Sequence, residues 1–338
     1  MGRYAVRRSL TIVPVLLGVS ILVFSFIHLI PGDPALTMLG ERATPEKVAE
    51  VRARLGLVRP IWQQYVLYVG HALRGDLGVS IVRGDPVASD LLRRFPATVE
   101  LAVAAIVVAI ALGIPIGVAS AVYRNSLLDS LARLGALTGV SMPIFWLGLV
   151  LAWFFGVQLR ILPTGFRLAS GSAFVPWTNF VILDALLQGD WTSLADALRH
   201  LVLPALALAM AGIGQTARLT RASMVETYQK PYIEMAQAYG FRERRIANRY
   251  AFRPALVPVL TILGLDLAAL LGNAFLVESV FGWPGLSRYG VEVILHKDLD
   301  AIVGTVLIIA TGFLIANIVV DLLVAVVNPR IRFATGQS

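Results

Sequence analysis

With 338 residues, of which 57% are hydrophobic and only 15% charged, the chain is too apolar for an ordinary soluble domain of its length. Its net charge of +8 is split among separate polar segments, so no domain-sized basic face is available for nucleic acid, and anionic lipid headgroups are the better counterpart. The absence of cysteine excludes disulfides, a thiol nucleophile and thiolate metal sites.

A helix needs roughly 20 mainly apolar residues to cross about 30 Å of hydrocarbon, and in lipid its backbone groups must bond within the segment. Six stretches meet that length: Leu10–Ile30, Ala97–Val122, Leu134–Leu159, Leu201–Ala222, Ala255–Val277 and Ala301–Val327. They predict an all-α polytopic membrane protein with six transmembrane helices. Arg3, Arg7 and Arg8 precede the first stretch, but its apolar run is too long for a signal peptide and no A-x-A-like cleavage site follows. Residues 1–30 are therefore read as a tail and an anchor. An even number of crossings puts both termini on one side. Lys and Arg divide 15 to 14 between the two sides, and 15 to 5 once the long first loop, which translocates regardless of charge, is set aside. The side with 15 is the cytoplasm and holds both termini. Arg93 and Arg94, just before the second stretch on the outer side, run against this rule.

Residues 31–95 form an extracytoplasmic loop with helical punctuation. Thr44 suits an N-cap and Pro45 the first turn, with Val48, Val51 and Leu55 on one face before Gly56. Trp62, Tyr65, Val66, Val69 and Leu73 then recur at helical spacing, which predicts an amphipathic layer that caps the bundle, lies on the membrane or docks a partner. A core of five helices follows over 96–327, with Gly113, Pro115, Gly117, Gly139, Pro143, Gly148 and Pro204 inside its spans, where packed neighbours re-satisfy the backbone and allow close approach. The outer loop between Arg160 and His200 holds Trp177 and Trp191 for the headgroup level. Residues 328–338 are a second cytoplasmic tail.

The most informative segment is 218–253, where eight bases and three acids (Glu226, Glu234, Glu243) interrupt the apolar chain. A solvated positive-inside loop accounts for the arginines by itself. The order of residues adds more: a short helix through Glu234, Ala236 and Ala238, a glycine at 240 suited to a left-handed cap, then a charged helix from Arg242, which together form a helix-turn-helix knuckle. Within the spans, Asp266 is the deepest ionisable residue, and Leu270 and Asn273 fall on its helix face. This face either lines a translocation path or makes an interhelical hydrogen bond. Asn317 and Asp321 are one turn apart and read as structural, while Glu100 suits a pair with an arginine. The chain lacks Gly-Lys, so it has no phosphate-binding loop for ATP. Its four histidines are scattered, so neither a metal site nor catalysis is expected.

Glu234-x-Ala236-x-x-x-Gly240, followed by an amphipathic helix and Pro258, resembles the EAA loop of ABC importer permeases, with Met235 in place of the usual alanine. The resemblance extends along the chain. Arg7-Arg8 through Pro14, His28-Leu29-Ile30-Pro31-Gly32-Asp33-Pro34-Ala35, Gly75-Asp76-Leu77-Gly78-Val79-Ser80, Pro96-Ala97-Thr98-Val99-Glu100-Leu101, Glu278-Ser279-Val280-Phe281-Gly282-Trp283-Pro284-Gly285-Leu286 and Asn328-Pro329-Arg330-Ile331-Arg332 look like the B-type subunit of the dipeptide and oligopeptide permeases, with Asn328 replacing an aspartate.

The resemblance implies a type I importer architecture in the prokaryotic cytoplasmic membrane. Its partners would be a second homologous permease, two ABC ATPase subunits that hold ATP and magnesium, and an extracytoplasmic substrate-binding protein, with no cofactor on this chain. Glu234, Ala236, Gly240, Phe241, Arg242 and Arg245 would make the ATPase contact. Peptide is the ligand class expected, and the same pattern also serves nickel and glutathione importers. An ion-coupled secondary transporter with Asp266 as coupling carboxylate is the alternative of another class, and it has no need of the knuckle.

Overall fold

The computed structural model describes residues 12–29, 36, 39, 43–54 and 58–327. Arg3, Arg7, Arg8, the motif from Ile30 to Ala35, Leu55, Gly56, the side chain of Asp321 and the tail 328–338 lie outside the described residues. Those described are helical apart from turns, irregular loops and one isolated bridge, Val79 to Pro86. In chain order the helices are α1 (Ile12–Leu29), α2 (Pro45–Arg54), α3 (Ile61–Leu73), α4 (Val87–Val122), α5 (Leu127–Ser141), α6 (Ile144–Gln158), α7 (Val181–Gln188), α8 (Trp191–Tyr228), α9 (Pro231–Ala238), α10 (Glu243–Asn273), α11 (Phe275–Val280), α12 (Leu286–Leu295) and α13 (Leu299–Val327).

Among the described residues four helices are long and apolar enough to cross a bilayer: α4, α8, α10 and α13 over Leu299–Val320. Two expectations change. The third stretch is not one straight span, because α5 and α6 meet at 108°. Pro143 forces Met142 out of the helical region, to φ −79° and ψ 135°, and its ring nitrogen donates no hydrogen bond across the break. Counting this pair as one crossing gives five. Among the described residues the apolar part of α1, Ile12–Phe26, is shorter than a full span. The fifth stretch, conversely, begins earlier than its apolar run: α10 starts at Glu243 and passes through a π-helical turn, Ile246–Ala251, into Phe252–Asn273.

The chain divides into two compact units, 1–95 with 286–312 and 96–285 with 313–338. In the first, Thr44 caps α2 as its sequence predicts, its hydroxyl accepting from Lys47 N at 3.4 Å. Ser20 of α1 and Tyr65 of α3 share a 2.8 Å hydroxyl hydrogen bond. Val87, Leu91, Leu286, Tyr289, Val293 and Ala301 form the unit's core. Asp298 is fully buried just ahead of α13, where it accepts from Ser80 Oγ at 2.6 Å and from Val82 N at 3.3 Å. This unit also accounts for Arg94. Its guanidinium lies 4.7 Å over the ring of buried Tyr289, whose hydroxyl donates to Asp90 at 3.3 Å. Burial and the neighbouring Asp90 push the Tyr289 phenol up to about 12. Arg94 is thus held by protein side chains, and its charge reports local packing more than membrane orientation.

In the second unit, glycines set the helix spacing. A Cβ on Gly113 would meet Thr216 Cβ at 2.7 Å, and one on Gly117 would meet Ala217 O at 2.5 Å and Thr220 Cβ at 2.6 Å. These contacts advance together along both chains, so α4 and α8 are parallel neighbours at near-backbone contact. Gly214 faces Ala136 O and Gly139 faces Met210, a register that runs in opposite directions and makes α5 antiparallel to α8. The ends α4-C, α5-N and α8-C therefore gather at one end of the unit, beside the segment that carries the eight bases. At the other end, Ala97, Leu101, Leu201, Leu208, Phe281 and Trp283 belong to one buried core.

Candidate functional site: the knuckle between α8 and α10

Helix α8 stops at Tyr228, and Pro231 opens α9 at a position where a missing N–H costs nothing. Eight residues later α9 ends in a paired turn: Gly240 N donates to Gln237 O at 2.9 Å and Phe241 N donates to Ala236 O at 3.2 Å. This is a Schellman cap, and Gly240 takes the left-handed conformation it requires, at φ +74°. The turn that the glycine implies in the sequence is therefore present, and α10 leaves it at Glu243.

The two faces of α9 differ. Ile233 and Ala236 point inward and are buried with Met224, Ile246, Ala247, Ala251, Ala255 and Ala121, while Phe241 packs at the edge of that cluster. Phe241 also stacks on Tyr250 at 5.7 Å between ring centroids, and the Arg245 guanidinium lies 4.8 Å from the Phe241 centroid. Outward stand Glu234, Gly240, Arg242 and Arg245, together with Tyr232 (44% exposed), Met235 (58%) and Tyr239 (70%). Of the six residues expected to contact an ATPase, Ala236 is thus a packing residue inside the knuckle. Tyr232, Met235 and Tyr239, which were not among those six, form the exposed apolar surface.

The three candidate path residues do not share one environment. Leu270 packs against the buried core, Asn273 is exposed at the end of α10, and Asp266 is half-buried. The Oδ2 of Asp266 is buried without a hydrogen-bond partner among the described residues, so the structure supplies no interhelical bond to that atom. Glu100 does find its arginine. Arg167 donates to it, Ile182 N donates to it at 2.9 Å, and the same guanidinium donates to Asn179 O at 3.0 Å. The loop after α6 is thereby tied to α4.

Two of the quoted motif stretches meet. Trp283 Nε1 donates to Ala97 O at 2.8 Å, and Thr98 Oγ1 donates to the fully buried Glu278 at 2.6 Å. A Cβ at Gly285 would meet the Glu278 carboxylate, so a larger residue there would push that side chain from its place. We expect Thr98→Val to cost about 1–3 kcal/mol by removing a partner from a buried carboxylate, read as a lower thermal midpoint of the purified chain; Thr98→Ser should recover most of it.

One constellation escaped the sequence altogether. Asp129, in the first turn of α5 and fully buried, receives both nitrogens of the Arg221 fork, at 2.7 and 2.8 Å. Ser120 Oγ donates to it at 2.5 Å and Asn125 N at 3.0 Å. Ser126-x-x-Asp129 reads locally as a helix cap, and Ser126 does accept from Asp129 N. Nothing local names a partner 92 residues away.

Comparison with known proteins places the chain in a family. Residues 113–333 match the family described as binding-protein-dependent transport system inner membrane component, and residues 1–102 match its N-terminal membrane component family. The dipeptide transport system permease protein DppB of Escherichia coli K12 is 41% identical over 98% of this chain and 99% of its own length. DppB of Alkalihalophilus pseudofirmus is 40% identical over 98% of this chain and the whole of its own length. The glutathione transport system permease protein GsiC of Salmonella typhimurium is 37% identical over 98% and 100%. A knuckle of the expected form, buried motif contacts and matches that together span nearly the whole sequence lead to one conclusion: the chain belongs to the binding-protein-dependent transport system inner membrane component family and is a multi-pass inner membrane permease of the ABC importer type, resembling the B-type dipeptide subunits.

Proposed function

We propose that this permease moves dipeptides or oligopeptides inward by alternating access, driven by ATP hydrolysed on two partner ABC ATPases that hold the nucleotide and magnesium. A second homologous permease completes the path, and an extracytoplasmic binding protein delivers the ligand. In this reading α1 and the bent α5–α6 pair both count as crossings, which makes six and leaves both termini in the cytoplasm. The anchor is 1–30, the outer amphipathic layer 31–95, the five-helix core 96–327 and the tail 328–338. Relatives named for dipeptide transport support the cargo.

The observation that carries the proposal is the outward face of α9. Tyr232, Met235 and Tyr239 are exposed apolar groups on a polar, basic segment, held by the Gly240 turn and flanked by Arg242, Arg244 and Arg245. A groove with apolar walls and an acidic rim is the complementary surface, and the exposed patch is the kind that marks an interface. Asp266 is the path residue of this reading: its unpartnered oxygen suits the amino-terminal ammonium of a peptide.

The test is purification of the permease with its neighbouring subunits from mild detergent. Wild-type chain should retain two ATPases and a second permease, and Met235→Asp should lower the bound ATPase at least ten-fold. A chain that takes up ligand alone in vesicles, driven by a proton gradient, would overturn the proposal. Mass spectrometry of the ligand on the binding protein identifies the cargo; glutathione there would favour the activity for which GsiC is named.

A further inference from the structure

We infer that Asp129 and Arg221 are positioning residues that lock α5 to α8, so that motion of the knuckle is delivered as a rigid displacement to the bend at Pro143. The inference rests on the importer reading above. Three observations join here. The first is the pair itself: a fully buried carboxylate held by a two-pronged guanidinium at 2.7 and 2.8 Å, with Ser120 Oγ and Asn125 N on its remaining sites. Arg133 adds a looser approach at 3.7 Å. Such a satisfied polar cluster has one geometry, because the planar fork accepts the carboxylate in one orientation.

The second is its place. Ser120 precedes Ala121, and Arg221 lies one turn before Met224; Ala121 and Met224 are both buried in the cluster that holds Ile233 and Ala236 of α9. The clamp therefore adjoins the inner side of the knuckle. Ser120 of α4, Asp129 of α5 and Arg221 of α8 meet in it, and a movement of α9 is passed to all three helices at this level.

The third is what lies beyond. From Asp129 to Ser141, α5 runs alongside α8 for about 18 Å at 1.5 Å per residue, through the close contacts of Gly214 with Ala136 and Gly139 with Met210. It then ends at the 108° bend into α6. Small-residue contacts in lipid permit close approach but resist sliding weakly, since lipid offers no hydrophobic force to hold two helices in register. A buried ion pair at one end supplies the register that glycine contacts lack. Breaking the pair would leave an unpaired buried carboxylate, which makes this register costly to leave.

The experiment uses the complete importer, reconstituted with both permeases, both ATPases and the binding protein. Asp129→Asn and Arg221→Gln should keep the ATPases bound and hydrolysing ATP while ligand uptake per ATP falls at least ten-fold. Arg221→Lys, which keeps the charge and loses the fork, should fall in between. Uptake per ATP at the wild-type level, or uptake and hydrolysis declining together with the amount of folded complex, would overturn the clamp and leave the importer reading intact. Loss of ATPase binding from the wild-type chain would overturn both. A second measurement does not depend on the variants. Spin labels at Leu137→Cys of α5 and Ala222→Cys of α8, both exposed and in a chain that has no native cysteine, should show one distance that is the same without nucleotide and with ATP. A distance that changes between the two states would also overturn the clamp.

Discussion

Gly117→Val should cost roughly 3 kcal/mol and lower the thermal midpoint of the detergent-purified chain by roughly 5–10 °C. The reason is space. A Cβ at 117 arrives 2.5 Å from Ala217 O, and a backbone carbonyl in the middle of α8 has no rotamer through which to yield. The two parallel helices must separate along their length, which opens the Gly113–Thr216 contact one turn away as well. Gly135→Val is the control. It is also a helical glycine, at an exposed position of α5, but its Cβ meets nothing within 4 Å, and the midpoint should stay within about 2 °C of wild type. Valine is no worse a helix former than glycine, so equal losses at both positions would show that the cost does not lie in the α4–α8 contact.

Gly240→Val should weaken ATPase retention about ten-fold or more, for a different reason. A Cβ at Gly240 also meets nothing within 4 Å, so space is not limiting. The constraint is the dihedral angle, φ +74°, where an L-residue pays roughly 1–2 kcal/mol and a β-branched one more. About 1.4 kcal/mol is a factor of ten in binding. If the chain escapes the strain by leaving the left-handed region, the Gly240–Gln237 and Phe241–Ala236 bonds open, and the exposed face of α9 turns relative to α10. Asparagine tolerates this region, so Gly240→Asn should retain most of the binding. Asparagine as damaging as valine would show that the groove rejects any side chain, and that conformation is not the issue. Binding of the purified ATPase to nanodisc-held permease, measured by titration, separates the two.

Much of the knuckle was legible because its causes are local. Gly240 ends the short helix through its free φ, and the stretch before it is too short and too polar to cross lipid; Pro231, which opens that helix through its fixed φ, was not read from the sequence. Thr44 at α2 and Ser126 at α5 behave in the same way. Exposure within the knuckle was not legible. Ala236 belongs to the sequence motif that suggests contact, yet it faces inward, because the direction of an eight-residue helix is set by the cluster of Met224, Ile246 and Ala255 beneath it. Leu270 was placed with Asp266 by helical period, and packs against the core instead. Residues four apart on a helix differ in direction by about 40°, and neighbours decide which of them is covered.

The break at Pro143 marks the limit of reading one dimension. Proline inside an apolar run is compatible with a straight, kinked or broken span. Here the run becomes two helices at 108°, and whether α5 with α6 makes one crossing is a property of the fold. Arg94 gives the complementary case. By position it offends the distribution of positive charge, and the Tyr289 ring beneath it shows why it is kept.

Hydropathy over a span and the dihedral preference of single residues suffice to place the chain in a bilayer, to make it helical and to locate the turn of its cytoplasmic knuckle, and its family motifs are legible in the order of residues. Packing sets the rest: that Asp129 meets Arg221, that Thr98 meets Glu278, that Gly117 is needed for space and Gly240 for angle, and that the third apolar run is bent. These depend on which distant surfaces are brought together, and a carboxylate or a glycine carries no local mark of the partner that packing will give it.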